Sequence, residues 1–132
     1  MYNQILKVHG QYLAKDMALP QNASQAGNGE SQDFSGTLGG VEVLALAAGD
    51  LTLADAKTLT VALEHADVGE AWAPLGDVCA ITVSGPLVIK AGTVLGRFIP
   101  PTDTKALSRA VISTDDATAS GTLSVYPHYL AR

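Results

Sequence analysis

Apolar and polar positions alternate most regularly over residues 57–65, KTLTVALEH. In an extended chain Leu59, Val61 and Leu63 point one way, and Thr58, Thr60, Ala62 and Glu64 the other. β-Branched residues stand on both faces, the pattern of a half-buried strand. A slip of one residue would turn all three large apolar side chains to water, so the register is well specified. From Val41 onward the same logic predicts eight strands. They are Val41–Ala48, Leu51–Leu53, Lys57–Ala66, Val78–Ser84, Leu87–Lys90, Val94–Ile99, Leu107–Thr114 and Ser120–Tyr126. Gly49-Asp50, Gly85-Pro86, Ala91-Gly92, the Pro100-Pro101 corner and Asp115-Asp116 punctuate them with turn chemistry. No segment sustains the i, i+3, i+4 spacing of an amphipathic helix. Short strands at this spacing predict an all-β chain, a jelly-roll-type antiparallel β-sandwich spanning residues 41–132. Leu59, Val61, Leu63, Ile81, Val83, Phe98, Val111 and Val125 are the expected core.

Residues 1–40 read differently. Ile5, Leu6 and Val8 suit a short strand, and Tyr12–Leu19 a second extended piece, which Pro20 bars from continuing as helix. Residues 21–40 are mostly Gly, Ser, Asn and Gln, with Phe34 as the one large apolar residue before Leu38. Such a segment cannot bury enough surface to fold by itself, so residues 1–40 are expected to form an extended N-terminal arm and Gly/Ser-rich loop. Pro127 lacks a ladder donor, which places the last strand on an edge or at a bulge. Tyr126, His128 and Leu130 would then share one face, a plausible contact surface.

Composition narrows the functional classes. The 132 residues suit one domain, large enough to bury a core without disulfides or metals. Hydrophobic residues make up 47% but aromatics only 5%, so the core must be aliphatic. Charged residues are 16%, below the usual quarter, which fits either a surface partly covered by a partner or one rich in Ser, Thr and Gly. The net charge is −5, and the eight Lys and Arg are scattered. A nucleic-acid footprint needs clustered positive charge and is not expected. No run approaches a membrane span or the apolar core of a signal peptide, so the expected site of synthesis is the cytoplasm.

The search for chemistry returns little. His9, His65 and His128 lie in separate segments without metal-ligand spacing, and no cofactor is expected. His65, Asp67 and Glu70 fall short of an oxygen-rich calcium loop and read as a solvated acidic turn. Asp115 and Asp116 point apart in an extended chain and make no acid/base pair. No G-x-S-x-G occurs, and the glycine-rich stretches lack the features of a phosphate loop. Cys79, in an apolar strand, reads as a small core residue. Trp72 suits a plug at one end of the fold better than a sugar platform, which usually recruits several aromatics.

The run TLTVALEHADVGEAW, then apolar strands, a Pro-Pro corner and a terminal strand, resembles the capsid cement proteins of tailed bacteriophages first described in a Bordetella phage. The matching features are the strand Thr58–Leu63, the acidic turn Asp67–Glu70 and Trp72. A strand opening at Gly92 and closing at Pro101, the strand Leu107–Ile112 with Arg109, and the terminal strand Gly121–Leu130 also match. The likeness covers Asp33–Leu130, while the N-terminal part is longer than the family's start. It implies a jelly roll without enzymatic activity that decorates the outside of a virion. The expected partners are the phage major capsid protein and the chain itself, as a homodimer ahead of a trimer. Phe34, Trp72, Tyr126, His128 and Tyr129 are the candidate contact residues. The alternative is a carbohydrate- or receptor-binding β-sandwich of a phage tail or surface appendage.

Overall fold

The computed structural model describes residues 12–29, 31–34, 41–101 and 103–129, with Tyr129 described by its backbone alone. Among the described residues ten strands are formed: β1 (Ala14–Ala18), β2 (Ala23–Ala26), β3 (Val41–Ala47), β4 (Leu51–Leu53), β5 (Thr58–Ala66), β6 (Ala73–Thr82), β7 (Leu87–Ile89), β8 (Val94–Phe98), β9 (Leu107–Thr114) and β10 (Thr122–Tyr129). One sheet has the order β1-β10-β3-β8, and the second β2-β9-β5-β6. A two-stranded piece, β4-β7, completes the molecule. Every pairing is antiparallel. The fold is an all-β antiparallel sandwich, as the alternation predicts. Among the described residues no helix is long and apolar enough to cross a membrane.

The pairing is nested. The β5–β6 hairpin lies innermost, then β4 pairs with β7, β3 with β8, β2 with β9, and β1 with β10. The chain is thus one long hairpin folded over, and the cross-pairs β5–β9 and β3–β10 weld it into two sheets. Leu59, Val61 and Leu63 of β5 face Ala110 and Ile112 of β9 in register and are fully buried. Opposite them, Val43, Ala45 and Ala47 of β3 stand beside Leu123 and Val125 of β10, also fully buried. These two inner faces form one aliphatic core.

Three expectations are corrected. The segment expected as an arm is built into the sandwich over its described part. β1 pairs with β10, β2 pairs with β9, and Phe34 is 1% exposed inside the core. The polar β2 contributes backbone hydrogen bonds to an existing sheet rather than apolar burial, so composition underrates it. Ile5, Leu6 and Val8, and residues 35–40, lie outside the described residues. Second, β10 is an inner strand of its sheet. Val125 carbonyl O accepts from Leu13 N–H on the β1 side. Backbone groups alternate sides along a strand, so Pro127 also turns its N toward that side, beyond Ala14, the first residue of β1. The missing donor therefore breaks no rung with β3, where Pro127 stands opposite Val43. Third, Val111 faces outward and its neighbours Ala110 and Ile112 fill the core. Ile81 and Phe98 are only partly buried against it.

Candidate functional site

The outer face of the β2-β9-β5-β6 sheet carries the densest polar chemistry. Thr60 of β5, Ser113 of β9 and Ser24 of β2 form one rung in register. Ser24 Oγ donates to Ser113 Oγ at 2.9 Å. Asn22, Thr58, Thr114 and Asp115 extend this rung into a shallow, open groove of about 330 Å3. Asp115 Oδ1 accepts from Thr58 N–H at 2.8 Å and from its hydroxyl at 3.2 Å. The Thr58 amide is the main reason the Asp115 carboxyl is held below the usual carboxylate range. The groove thus presents hydroxyls beside a carboxylate that is ionised at neutral pH, a set suited to hydrogen-bonding a polar ligand.

At the other end of this face lies a stack of three side chains. Arg109 Nε and Nη2 donate to Glu64 Oε1 at 2.9 and 2.7 Å. The same guanidinium lies 4.4 Å from the centroid of the Trp72 ring, a cation–π geometry. Register places Glu64 directly opposite Arg109, and the β5–β6 turn brings Trp72 over them. Trp72 is half-buried here, with one ring face taken by Arg109. His65, next along β5, accepts the Lys105 N–H on Nδ1 at 3.1 Å. Its ring is thereby engaged in holding the loop before β9.

On the outer face of the other sheet, Glu42 lies between two basic groups. Arg97 Nη1 is 3.5 Å from Glu42 Oε1, and His128 Nδ1 is 3.4 Å from the same oxygen. Tyr126 sits on this face too, but it is 3% exposed, with its ring centroid 5.4 Å from that of Tyr12. Of the five candidate contact residues, then, Phe34 and Tyr126 are buried and are corrected to packing residues. Trp72 and His128 are part-exposed, on different sheets, and the Tyr129 side chain lies outside the described residues. The structure does not gather the five into one surface. Cys79 is buried, and desolvation pushes its thiol pKa up, against a hydrogen bond from the Val61 backbone that lowers it; the nearby Asp77 charge also raises it. A thiol so placed is a poor nucleophile.

Periodicity alone did not reveal one feature, the apolar border. β6, β7 and β8 are the edge strands of their respective sheets. Leu87 and Val88 of β7, Val94 of β8 and Ile99 just after it are 41%, 51%, 44% and 51% exposed. The opposite edges are blunted. β1 carries Lys15 and Asp16 and an irregular register, and β2 has four residues. The apolar runs PLVIK and TVLGRFI are visible in sequence, but which strands are edges depends on the long-range pairing.

Comparison of the chain with family models, curated proteins and solved structures finds no match.

Proposed function

We propose that this chain is a structural cement protein of a phage head. In this reading it binds the outer surface of the assembled capsid and bridges major capsid protein subunits, as a homodimer ahead of a trimer. It catalyses no reaction and uses no cofactor. The observation that carries the reading is the exposure of aliphatic side chains on edge strands. Leu87 and Val88 of β7, Val94 of β8 and Ile99 just after it are open to water. An edge with unpaired backbone and exposed aliphatic side chains is a template for another chain, and natural sandwiches usually cover or charge such edges. The nested pairing also supports the reading, because a long hairpin folded into two four-stranded sheets is compatible with a jelly roll.

The test is direct. Heads assembled without this protein are mixed with it, imaged, and heated until they burst. Decorated heads should survive to a higher temperature than bare ones. A Val88→Lys/Val94→Lys variant alters only exposed positions, so its own stability should change by no more than about 1 kcal/mol. It should lose at least about tenfold in binding, the scale of burying two charges in an apolar contact. If the native chain leaves heads bare, the cement reading fails. If the lysine variant decorates equally well, the border is not the docking surface.

A second reading rests on the groove at Ser24, Thr60, Ser113 and Asp115, whose hydroxyls and carboxylate suit sugar hydroxyls. A carbohydrate-binding module would retain defined glycans on an array. Thr60→Val with Ser113→Ala would abolish that retention.

A further inference from the structure

One end of the sandwich is tied together by carboxylates. The turn Ala54–Thr58 joins β4 to β5 and is closed by Lys57 N–H donating to Ala54 carbonyl O at 3.3 Å. Within it Ala56 has φ 62°, the left-handed region that disfavours a side chain. Two consecutive aspartates in the β9–β10 connection grip both ends of this turn. Asp116 Oδ2 accepts from Ala54 N–H at 2.7 Å, and Asp115 Oδ1 accepts from Thr58 N–H at 2.8 Å. The other oxygen of Asp116 accepts from Thr118 N–H and its hydroxyl, both at 2.8 Å, and Asp116 is 2% exposed. The turn in its own right holds the β6–β7 connection. Lys57 carbonyl O accepts from Val83 N–H at 3.0 Å, and Asp55 Oδ1 accepts from Gly85 N–H at 2.7 Å. From the β2 side, Asn22 N–H donates to Asp116 carbonyl O at 3.1 Å.

We propose that the Asp115–Asp116 pair is an acid-released latch, whose protonation frees the Ala54–Thr58 turn, and with it the β6–β7 connection, while both sheets stay folded. A neutral carboxyl is a weaker acceptor than a carboxylate and spends one oxygen as a donor. Both oxygens of Asp116 accept from an N–H or a hydroxyl, so its protonation leaves at least one donor poorly matched. Asp115 accepts through Oδ1 alone, and there protonation weakens the acceptor. The charged neighbours are few. Lys57 and Asp55 lie on the turn, the β6–β7 connection Val83–Pro86 brings none, and the β2 side brings only the neutral Gln21 and Asn22. The strained Ala56 favours opening once the grips weaken.

The pH window follows from the direction of the shifts. The Ala54 amide foremost holds Asp116 below the usual carboxylate range, and the Thr58 amide does so for Asp115. Burial opposes both shifts, and the Lys57 charge adds to them. A group with a depressed folded pKa contributes its full stability above its unfolded value, about 4. That contribution is lost as pH falls through the folded value. The latch therefore holds at neutral pH and opens in acid below about pH 4. The core behind it, with Leu59, Val61, Leu63, Ile112 and Val125, contains no carboxyl, and its one ionisable member, the Cys79 thiol, is pushed up, away from acid, so it has no such response.

Amide hydrogen exchange by NMR, referenced to intrinsic rates at each pH, tests this. Between pH 7 and 3 the amides of Ala54, Thr58 and Val83 should lose about tenfold or more in protection. Those of Val61 and Ile112 should keep theirs. In an Asp115→Asn/Asp116→Asn variant, whose acceptors do not titrate, the same three amides should show no acid step. Should that variant fail to fold, Asp115→Asn alone keeps an acceptor for Thr58 without a titrating group, and the acid step at Thr58 should shrink. Turn and core amides losing protection together would overturn the latch. So would an unchanged acid step at Thr58 in the single variant.

Discussion

Leu63 and Val111 show how much one side chain's direction decides. Leu63 is fully buried between Ala110 of β9 and Gly76 of β6. Truncation to Ala leaves a cavity no neighbour can fill, so Leu63→Ala should cost about 2–5 kcal/mol in urea unfolding. Val111 stands on the outer face, level with Ala62 and Ala26, and Val111→Ala should cost under about 1 kcal/mol. Equal losses at the two positions would mean the assigned register of β9 is wrong. The β5 alternation was legible because Thr58, Thr60, Ala62 and Glu64, none of them large and apolar, alternate with Leu59, Val61 and Leu63. In β9 the sequence LSRAVIST puts Val beside Ile, and both faces accept an aliphatic residue, so the sequence offers no ground for choosing between them. The Arg109–Glu64–Trp72 stack was legible only in pieces. Its members are separated along the chain, and register brings them together.

At the scale of elements, the approach of β6 to β8 closes the apolar side of the sandwich. It depends on two glycines. A Cβ on Gly96 of β8 would collide with the Val78 carbonyl O of β6, and one on Gly76 would meet the Phe98 ring. The obstacle differs in kind: a backbone carbonyl is held by its sheet, whereas a half-buried ring can rotate. Gly96→Ala should therefore destabilise by about 1–3 kcal/mol, and Gly76→Ala by clearly less, measured as shifts in denaturant midpoint. The reverse order would mean the strands give way more easily than the ring. Sequence marks Gly96 as an interruption in an apolar strand, a signal of close backbone approach, whereas Gly76 precedes the predicted strand Val78–Ser84. It does not say what approaches. β2 was missed for a related reason, since ASQA shows neither alternation nor β-branching and owes its conformation to β9 alongside.

For the whole molecule, the proposed role predicts association. Exposed aliphatic residues on edge strands, such as Val88 of β7 and Val94 of β8, are an aggregation liability for a free monomer. Light scattering at micromolar concentration should show a mass above that of the 13.6 kDa chain, with a dimer ahead of a trimer. The Val88→Lys/Val94→Lys variant should shift that mass toward the monomer. A strictly monomeric native chain would assign the border to a different partner alone, or to none. The few charges noted in the sequence are partly paired on the outer sheet faces, as in Glu64–Arg109 and Glu42–Arg97.

By itself the sequence determined the all-β class, the extent of β5 and β9, most turn positions after Val41 and the aliphatic nature of the core, but it started β6 at Val78 where the strand begins at Ala73. These follow from local periodicity and turn chemistry, which act over a few residues and leave a mark in composition. Only the tertiary structure decided that the polar N-terminal segment completes both sheets and that Phe34 and Tyr126 are buried. It alone made β10 an inner strand and set Asp115 and Asp116 on either end of a distant turn. Those outcomes depend on backbone hydrogen bonding between segments as much as about a hundred residues apart, and every residue but proline offers the same donor and acceptor. Backbone pairing leaves no side-chain signature, so no reading of residue types along the chain could have placed those segments together.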